Sequence, residues 1–259
     1  MFNKQDTLVF DEKFNKLHEV IIKDTNNINT SFTCLQGEVE FRNEFNEVLF
    51  KKKNLIVLRG RTFVLEKIFN SYLKKGGLVY NSGIVEDSPV ANRRVCLFMI
   101  GKGGSGLTFG DVYVPQFNDL TLADPLPFRF VDTGESLGGE SNKYFGKNLV
   151  GAPVVGKDAY YYKKFEANPT FYHGGEGGSE DEVYMEIALK VNKDDVREFF
   201  VENSGLEDCR INELALLIGK ENAGETEFEQ VEIFSRITFN NEPLDNETRE
   251  LNIYYRIYA

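Results

Sequence analysis

The strongest constraint on the fold lies in the last third of the chain, where apolar side chains recur at every second position. Val183, Met185, Ile187, Leu189 and Val191 are each separated by one residue, the period of a strand with one buried face. Three further runs, Ile211–Ile218, Val231–Phe239 and Arg249–Tyr258, are rich in β-branched and aromatic residues and read as strands. Asn240-Asn241-Glu242-Pro243 and Asp245-Asn246 supply turn chemistry between the last two. Upstream, Arg94–Ile100 reads as a buried strand closed by glycine, and Glu38–Phe50 as a hairpin around Asn43–Asn46. Antiparallel strands closing a β-sandwich are the economical architecture. The expected fold is therefore mainly β (α+β), with one or two packed helices.

Helical spacing is found in three places. Phe10, Phe14, Leu17 and Ile21 predict an amphipathic helix over 8–23, followed by a polar loop or arm over Asp24–Thr33. Leu65, Ile68, Phe69, Tyr72 and Leu73 share one face and predict a helix over 62–75, ended by Gly76-Gly77. Lys193–Asn203 predicts a short helix with Asn192 as N-cap and Asp195 in its first turn. Lys51-Lys52-Lys53 reads as a solvated turn.

Residues 101–178 differ from the rest. They hold 15 of the 23 glycines and 5 of the 7 prolines, a density of breakers that forbids long helices. Paired and tripled aromatics such as Tyr160-Tyr161-Tyr162 lie between them. This segment is expected to be a loop-rich Gly/Tyr insertion with short strands, exposed and available for contacts. The implied organisation is an N-terminal arm or helix-hairpin segment over 1–54 and a β-sandwich domain over 55–259 carrying the insertion.

The formal charge is −11. That argues against phosphate neutralisation on nucleic acid and against docking on anionic lipid. The charge is uneven. Residues 1–100 carry 15 basic and 12 acidic groups (net +3), residues 101–178 carry 7 and 9 (net −2), and residues 179–259 carry 8 and 20 (net −12). An acidic last third is either a solvated face or a surface matched to a partner. No stretch is apolar enough for a membrane-spanning helix, and the N-terminus begins no apolar signal region. Cys34, Cys96 and Cys209 are odd in number and widely spaced, as expected for small apolar residues made in a reducing cytosol.

Several motifs invite a chemical reading. Gly101-Lys102-Gly103-Gly104-Ser105-Gly106 fits G-x-G-x-x-G, but the continuation Leu107–Pro115 lacks the helix whose N-terminus would hold a pyrophosphate. Gly134-Glu135-Ser136-Leu137-Gly138 fits a nucleophile elbow, yet a polar turn follows it, and His18 and His173 are wrongly ordered for a triad. Glu180-Asp181-Glu182 and Asp194-Asp195 read as solvated acidic turns rather than calcium loops. The expectation is no catalytic residue, no cofactor and no metal. Tyr160, Tyr161, Tyr162 and Tyr172 are the candidate interface residues, since aromatics suit protein interfaces and can stack on sugars.

A family resemblance runs through the same segments. Ile211-Asn212-Glu213-Leu214-Ala215-Leu216, then Ile233–Phe239 with its central Arg236, then Pro243-Leu244 and Leu251–Tyr258, follow one another in order. Upstream stand Leu97–Gly104 and Asp119-Leu120-Thr121-Leu122-Ala123-Asp124-Pro125-Leu126-Pro127-Phe128. This succession, over about residues 55–259, resembles virion structural proteins of large tailed bacteriophages. Asn240 stands where that family often has proline, and tyrosine replaces tryptophan near the end. The resemblance implies a non-enzymatic building block of the neck or collar, tail or baseplate, or head surface. Its partners would be other virion proteins and copies of itself in a symmetric ring or array, assembled in the host cytoplasm. A glycan-binding β-sandwich and a serine hydrolase using Ser136 are the alternatives.

Overall fold

The computed structural model describes residues 20–23, 29–32, 36–57, 60–61, 63–64, 67, 71–74, 77–80, 92–105, 121–149, 154–173, 183–192, 194–203, 210–222, 227–243 and 250–258. In chain order the strands are β1 (Val20–Lys23), β2 (Asn29–Phe32), β3 (Gln36–Arg42), β4 (Val48–Ile56), β5 (Ser71–Lys74), β6 (Gly77–Tyr80), β7 (Arg93–Gly101) and β8 (Pro125–Leu126). There follow β9 (Arg129–Asp132), β10 (Tyr144–Lys147), β11 (Lys157–Lys164), β12 (Thr170–His173) and β13 (Val183–Asn192). A short helix, α1 (Arg197–Asn203), precedes β14 (Arg210–Glu221), β15 (Phe228–Pro243) and β16 (Glu250–Tyr258).

The protein is mainly β, and its strand pairs are antiparallel. Twelve strands form one sheet, ordered β10-β11-β7-β14-β15-β4-β3-β16-β13-β12, with β8 beside β7 and β9 beside β11. β1–β2 and β5–β6 are separate hairpins. β4 makes the sheet continuous. Its residues 48–54 pair with β3, whereas Leu55 and Ile56 pair with Arg236 and Ser235 of β15. The described strands form one curled sheet whose halves are joined through β4, and they do not by themselves show the two separate sheets of a sandwich. The expected boundary at 54/55 falls inside that strand, and β3 lies between β4 and β16.

Alternation decides which side chains face inward. Val39 and Phe41 of β3, Ile187, Leu189 and Val191 of β13, and Leu251, Ile253 and Tyr255 of β16 meet Phe98 and Ile100 of β7 and Leu214 and Leu216 of β14 in one core. Phe41 stacks on Phe50 with ring centroids 4.3 Å apart, and Phe239 closes the group at 4.7 Å from Phe41. β7 and β14 are buried on both faces. Their other side chains, Leu97, Met99, Ala215 and Leu217, form a second core with Leu122, Phe130, Phe145, Tyr161 and Tyr162. Strands covered on both faces read as unbroken apolar runs, which is why Arg94–Ile100 is legible in sequence. Cys96 lies in this second core, and burial pushes its thiol up.

The insertion does contain short strands, but it does not stand apart from the core. Phe130, Phe145, Tyr161 and Tyr162 come from it and cover the second face of β7 and β14. The predicted helix over 62–75 is half realised. Residues 60, 61, 63, 64 and 67 are helical, but Ser71–Lys74 is strand and Lys74 pairs with Gly77. Tyr72 and Leu73 thereby have Val79 and Leu78 as their register partners on β6, and Gly76 lies outside the described residues. Val20–Lys23 is likewise strand, paired with Asn29–Phe32, and the rest of the predicted 8–23 helix lies outside the described residues. Lys51–Lys53 is the middle of β4, not a turn. Lys51 and Lys53 point outward, and Lys52 runs inward with its Nζ donating to the Thr238 carbonyl at 2.9 Å. The helix expected from Lys193 begins at Arg197, after a turn in which Val196 has φ 60°.

Replacing Phe41, fully buried among aromatic rings, should cost about 3–5 kcal/mol in Phe41→Ala. Val155→Ala, at a fully exposed position, should change stability by less than about 0.5 kcal/mol. Urea unfolding of the two variants checks the contrast.

Candidate functional site

The four candidate tyrosines do not form one surface. Tyr160, Tyr161 and Tyr162 lie on β11 and Tyr172 on β12, near opposite ends of the sheet path. Tyr161 and Tyr162 are buried, and burial pushes the Tyr162 phenol up to about 12. Tyr172 instead stacks on Tyr184 at 4.8 Å and 15°, and Tyr184 lies 5.2 Å from Tyr258. This cross-strand aromatic row was not apparent in the sequence, because only the register Tyr172↔Tyr184↔Tyr258 brings its members together.

Ser136 sits in an exposed turn, where its Oγ accepts the Gly138 N–H at 3.1 Å. A three-residue 3-10 turn, Gly138–Glu140, follows it in place of the long helix of a nucleophile elbow. His173 is the C-terminal residue of β12, and His18 lies outside the described residues.

Gly104, Ala123, Asn212, Glu213 and Arg236 converge on one buried polar cluster. Asn212 and Glu213 are adjacent on β14 and almost wholly buried. Asn212 Oδ1 accepts the Gly104 N–H at 2.6 Å, while its Nδ2 donates to Ser105 Oγ and Asn241 Oδ1, each at 2.8 Å. Glu213 Oε2 accepts the Ala123 N–H at 3.0 Å and meets Arg236 of β15 at 3.3 Å. The glycines have a steric reason. A Cβ at Gly104 would lie 2.1 Å from the Asn212 carbonyl oxygen, and one at Gly103 would lie 2.5 Å from Glu213 Oε1. Asn-Glu on β14 thus clamps the glycine turn after β7 and the chain entering β8. Glu213 Oε1 has no hydrogen-bond partner among the described residues. Burial raises the Glu213 carboxyl above its ordinary value of 4.5, and Arg236 with the Ala123 N–H offsets this only in part.

A second polar centre lies beneath a cleft of about 960 Å³. Glu44, Glu140, Asp194, Glu198 and Glu250 line it with Arg129 and Arg197, and Tyr144 and Asp195 also contribute to the lining. Asp195, expected in a solvated turn, is buried. Its Oδ2 meets Lys163 Nζ at 2.9 Å and accepts the Asn192 N–H at 2.8 Å, and its Oδ1 accepts the Tyr144 hydroxyl at 2.8 Å. Lys163, fully buried, also donates to the Lys190 carbonyl at 2.7 Å and meets Glu166 at 3.1 Å. Burial and the Asp195 charge push the Tyr144 phenol up. Three segments, β10, β11 and the turn before α1, are thereby tied by one carboxylate.

Charge on the outer face is matched within the chain. Arg256 Nε meets Glu186 at 2.8 Å, and its Nη1 lies 3.4 Å from both Glu38 and Glu40. Lys51 reaches Glu38 at 2.9 Å, Arg94 reaches Glu221 at 2.8 Å, and Arg93 contacts Glu232. Burial pushes the Glu40 carboxyl up, but Arg42 and Arg256 together outweigh it and hold it below the usual range. Basic residues of the first hundred therefore meet carboxylates of the last third inside one molecule.

No family model matches the chain, and neither a curated protein nor a solved structure matches it significantly.

Two predictions follow from the buried polar groups. Lys163→Met leaves Asp195 buried without its counter-charge and should cost about 3–5 kcal/mol in thermal unfolding. For Glu213, the folded carboxyl binds its proton more tightly than the unfolded one. Its contribution is therefore most favourable below pH 4.5 and declines as pH rises through the folded value. Glu213→Gln should gain stability relative to the wild type between pH 4.5 and 7. A pH-independent difference would contradict the assignment.

Proposed function

We propose that this chain is a non-enzymatic structural component of a tailed phage particle, placed in the neck or collar, tail or baseplate, or on the head surface. It assembles through protein–protein contacts, in the host cytoplasm, with other virion proteins and with copies of itself. The observation that carries this reading is the convergence of the family-like segments. Gly103, Gly104, Ala123, Asn212, Glu213 and Arg236 are far apart in sequence, yet they are joined in one buried cluster. Their polar groups hold β14 to the glycine turn, to the chain entering β8 and to β15, so the shared pattern encodes architecture rather than chemistry. The exposed setting of Ser136 supports the same reading, since hydrolysis by an elbow serine needs a supporting helix and a base.

A second reading draws on the Tyr172–Tyr184–Tyr258 row. These rings are half-buried on the outer face and could stack on sugars of a host surface. Tyr172→Ala should then abolish retention on a host glycan array while leaving the fold intact, and an array without hits removes this reading.

Mass spectrometry of purified particles, followed by a particle map, tests the main proposal. The chain is expected at a fixed copy number, with density that accepts the curled sheet. Its absence from particles would sink the idea.

A further inference from the structure

The Lys163 side chain on β11 has no exposed surface, and its Nζ lies 6.0 Å from the Phe128 ring and 5.8 Å from the Tyr144 ring. Three oxygens surround that nitrogen: the Lys190 carbonyl at 2.7 Å, Asp195 Oδ2 at 2.9 Å and Glu166 Oε1 at 3.1 Å. Asp195 is itself 2% exposed. A buried ion pair gains little net stability, because the cost of desolvation offsets most of the Coulombic attraction. Stability alone is thus a weak reason for this pair.

The same atoms are placed for a condensation. Nζ becomes a nucleophile once it yields a proton, and its contact with Oδ2 holds it one bond away from the Asp195 carboxyl carbon. Tyr144 donates its hydroxyl to Oδ1 at 2.8 Å, where negative charge gathers when that carbon becomes tetrahedral. Burial and the Asp195 charge push the phenol up, so it stays a donor. The Asn192 N–H holds Oδ2 at 2.8 Å. Glu166 touches Nζ, and its side chain is 43% exposed, so it can relay protons to solvent. Fixing both partners in one enclosure removes the entropic cost that makes this reaction slow between free side chains. Exclusion of water disfavours the reverse hydrolysis.

We propose that Lys163 and Asp195 form a spontaneous intramolecular isopeptide bond, with Glu166 as the proton relay. The Nζ–Cγ bond forms and the Cγ–Oδ2 bond breaks. Two of the three ammonium protons leave with Oδ2 as one water, passing by way of Glu166. The positive and negative charges cancel, and nothing is oxidised or reduced. The third proton stays on the amide nitrogen and faces the Lys190 carbonyl, while Oδ1 keeps the Tyr144 hydroxyl. The product therefore leaves these buried groups paired. The two residues are 32 positions apart in sequence. β11 and β13 lie second and ninth along the sheet path, and Asp195 follows shortly after Asn192, the last residue of β13. The bond ties these two regions of the curled sheet together covalently.

Intact mass spectrometry of the native full chain tests it. The expected mass is below that of the sequence by about 18 Da, one water. A tryptic digest should contain a branched peptide joining Lys163 to Asp195, uncut after Lys163. Asp195→Asn should reach the same product by losing ammonia instead, about 17 Da. Lys163→Arg should keep its full mass. Glu166→Gln, at a half-exposed position, should fold as the wild type does and lose water about a hundredfold more slowly. A wild-type chain that keeps its full mass after prolonged incubation under native conditions overturns the proposal, whether or not any variant folds. A water loss that maps to other residues, or that persists in Lys163→Arg, overturns it as well. An unchanged rate in Glu166→Gln removes Glu166 from the step. The measurement needs no particle, so its outcome is separate from that of the virion role.

Discussion

The arrangement of this protein depends on β4 changing partners at Asn54. Up to that residue β4 is bonded to β3, and from Leu55 it is bonded to β15. A strand that hands over in this way forces the sheet to curl, and the curl brings Val39 and Phe41 over Leu214 and Leu216 in a shared core. The corner is tightly packed. A Cβ on Gly37 would lie 2.1 Å from Asn54 Oδ1, so the close approach of β3 and β4 requires glycine there. Tyr255 is wholly buried beside Ser235 and Asn54, and burial pushes its phenol up.

Around that corner, polar groups hold what the apolar core cannot specify alone. The Asn212–Glu213 clamp fixes the glycine turn, and the Lys163–Asp195–Tyr144 group fixes the approach to α1. Hydrophobic burial is non-directional. Hydrogen bonds between buried groups have defined geometry, and leaving one such group unpaired costs about 1–3 kcal/mol. The clamps therefore select one path for chain segments that glycine leaves conformationally free.

Much of the sheet was legible because alternation and unbroken apolar runs are local signals. β7, β13, β14 and β16 fall where period and composition placed them, whereas β15 runs on through Asn240–Pro243, the expected turn, because Glu242 and Pro243 pair with Ile211 and Arg210 of β14. Shorter segments were not legible. Tyr72 and Leu73 fit a helical face as well as a hairpin, and pairing with Val79 and Leu78 decided between them. Lys51–Lys53 looked like a turn because outward lysines mask the inward direction of Phe50, Lys52 and Asn54. Asp195 looked solvated because its counter-charge, Lys163, is distant in sequence. The tyrosine row and the Glu213 cluster were invisible for the same reason.

The sequence by itself determined a mainly β chain and the buried strand at Arg94–Ile100. Periodicity and residue type carry that information without reference to distant neighbours. Only the tertiary structure decided that the sheet is single and curled and that the aromatics of the insertion are core. It also decided that Arg93 and Arg94 of the first hundred residues meet Glu232 and Glu221 of the last third inside the molecule. These outcomes depend on pairing between strands up to about two hundred residues apart, such as Glu38 opposite Arg256; alternation fixes which side chains face inward, but not which distant strand lies opposite.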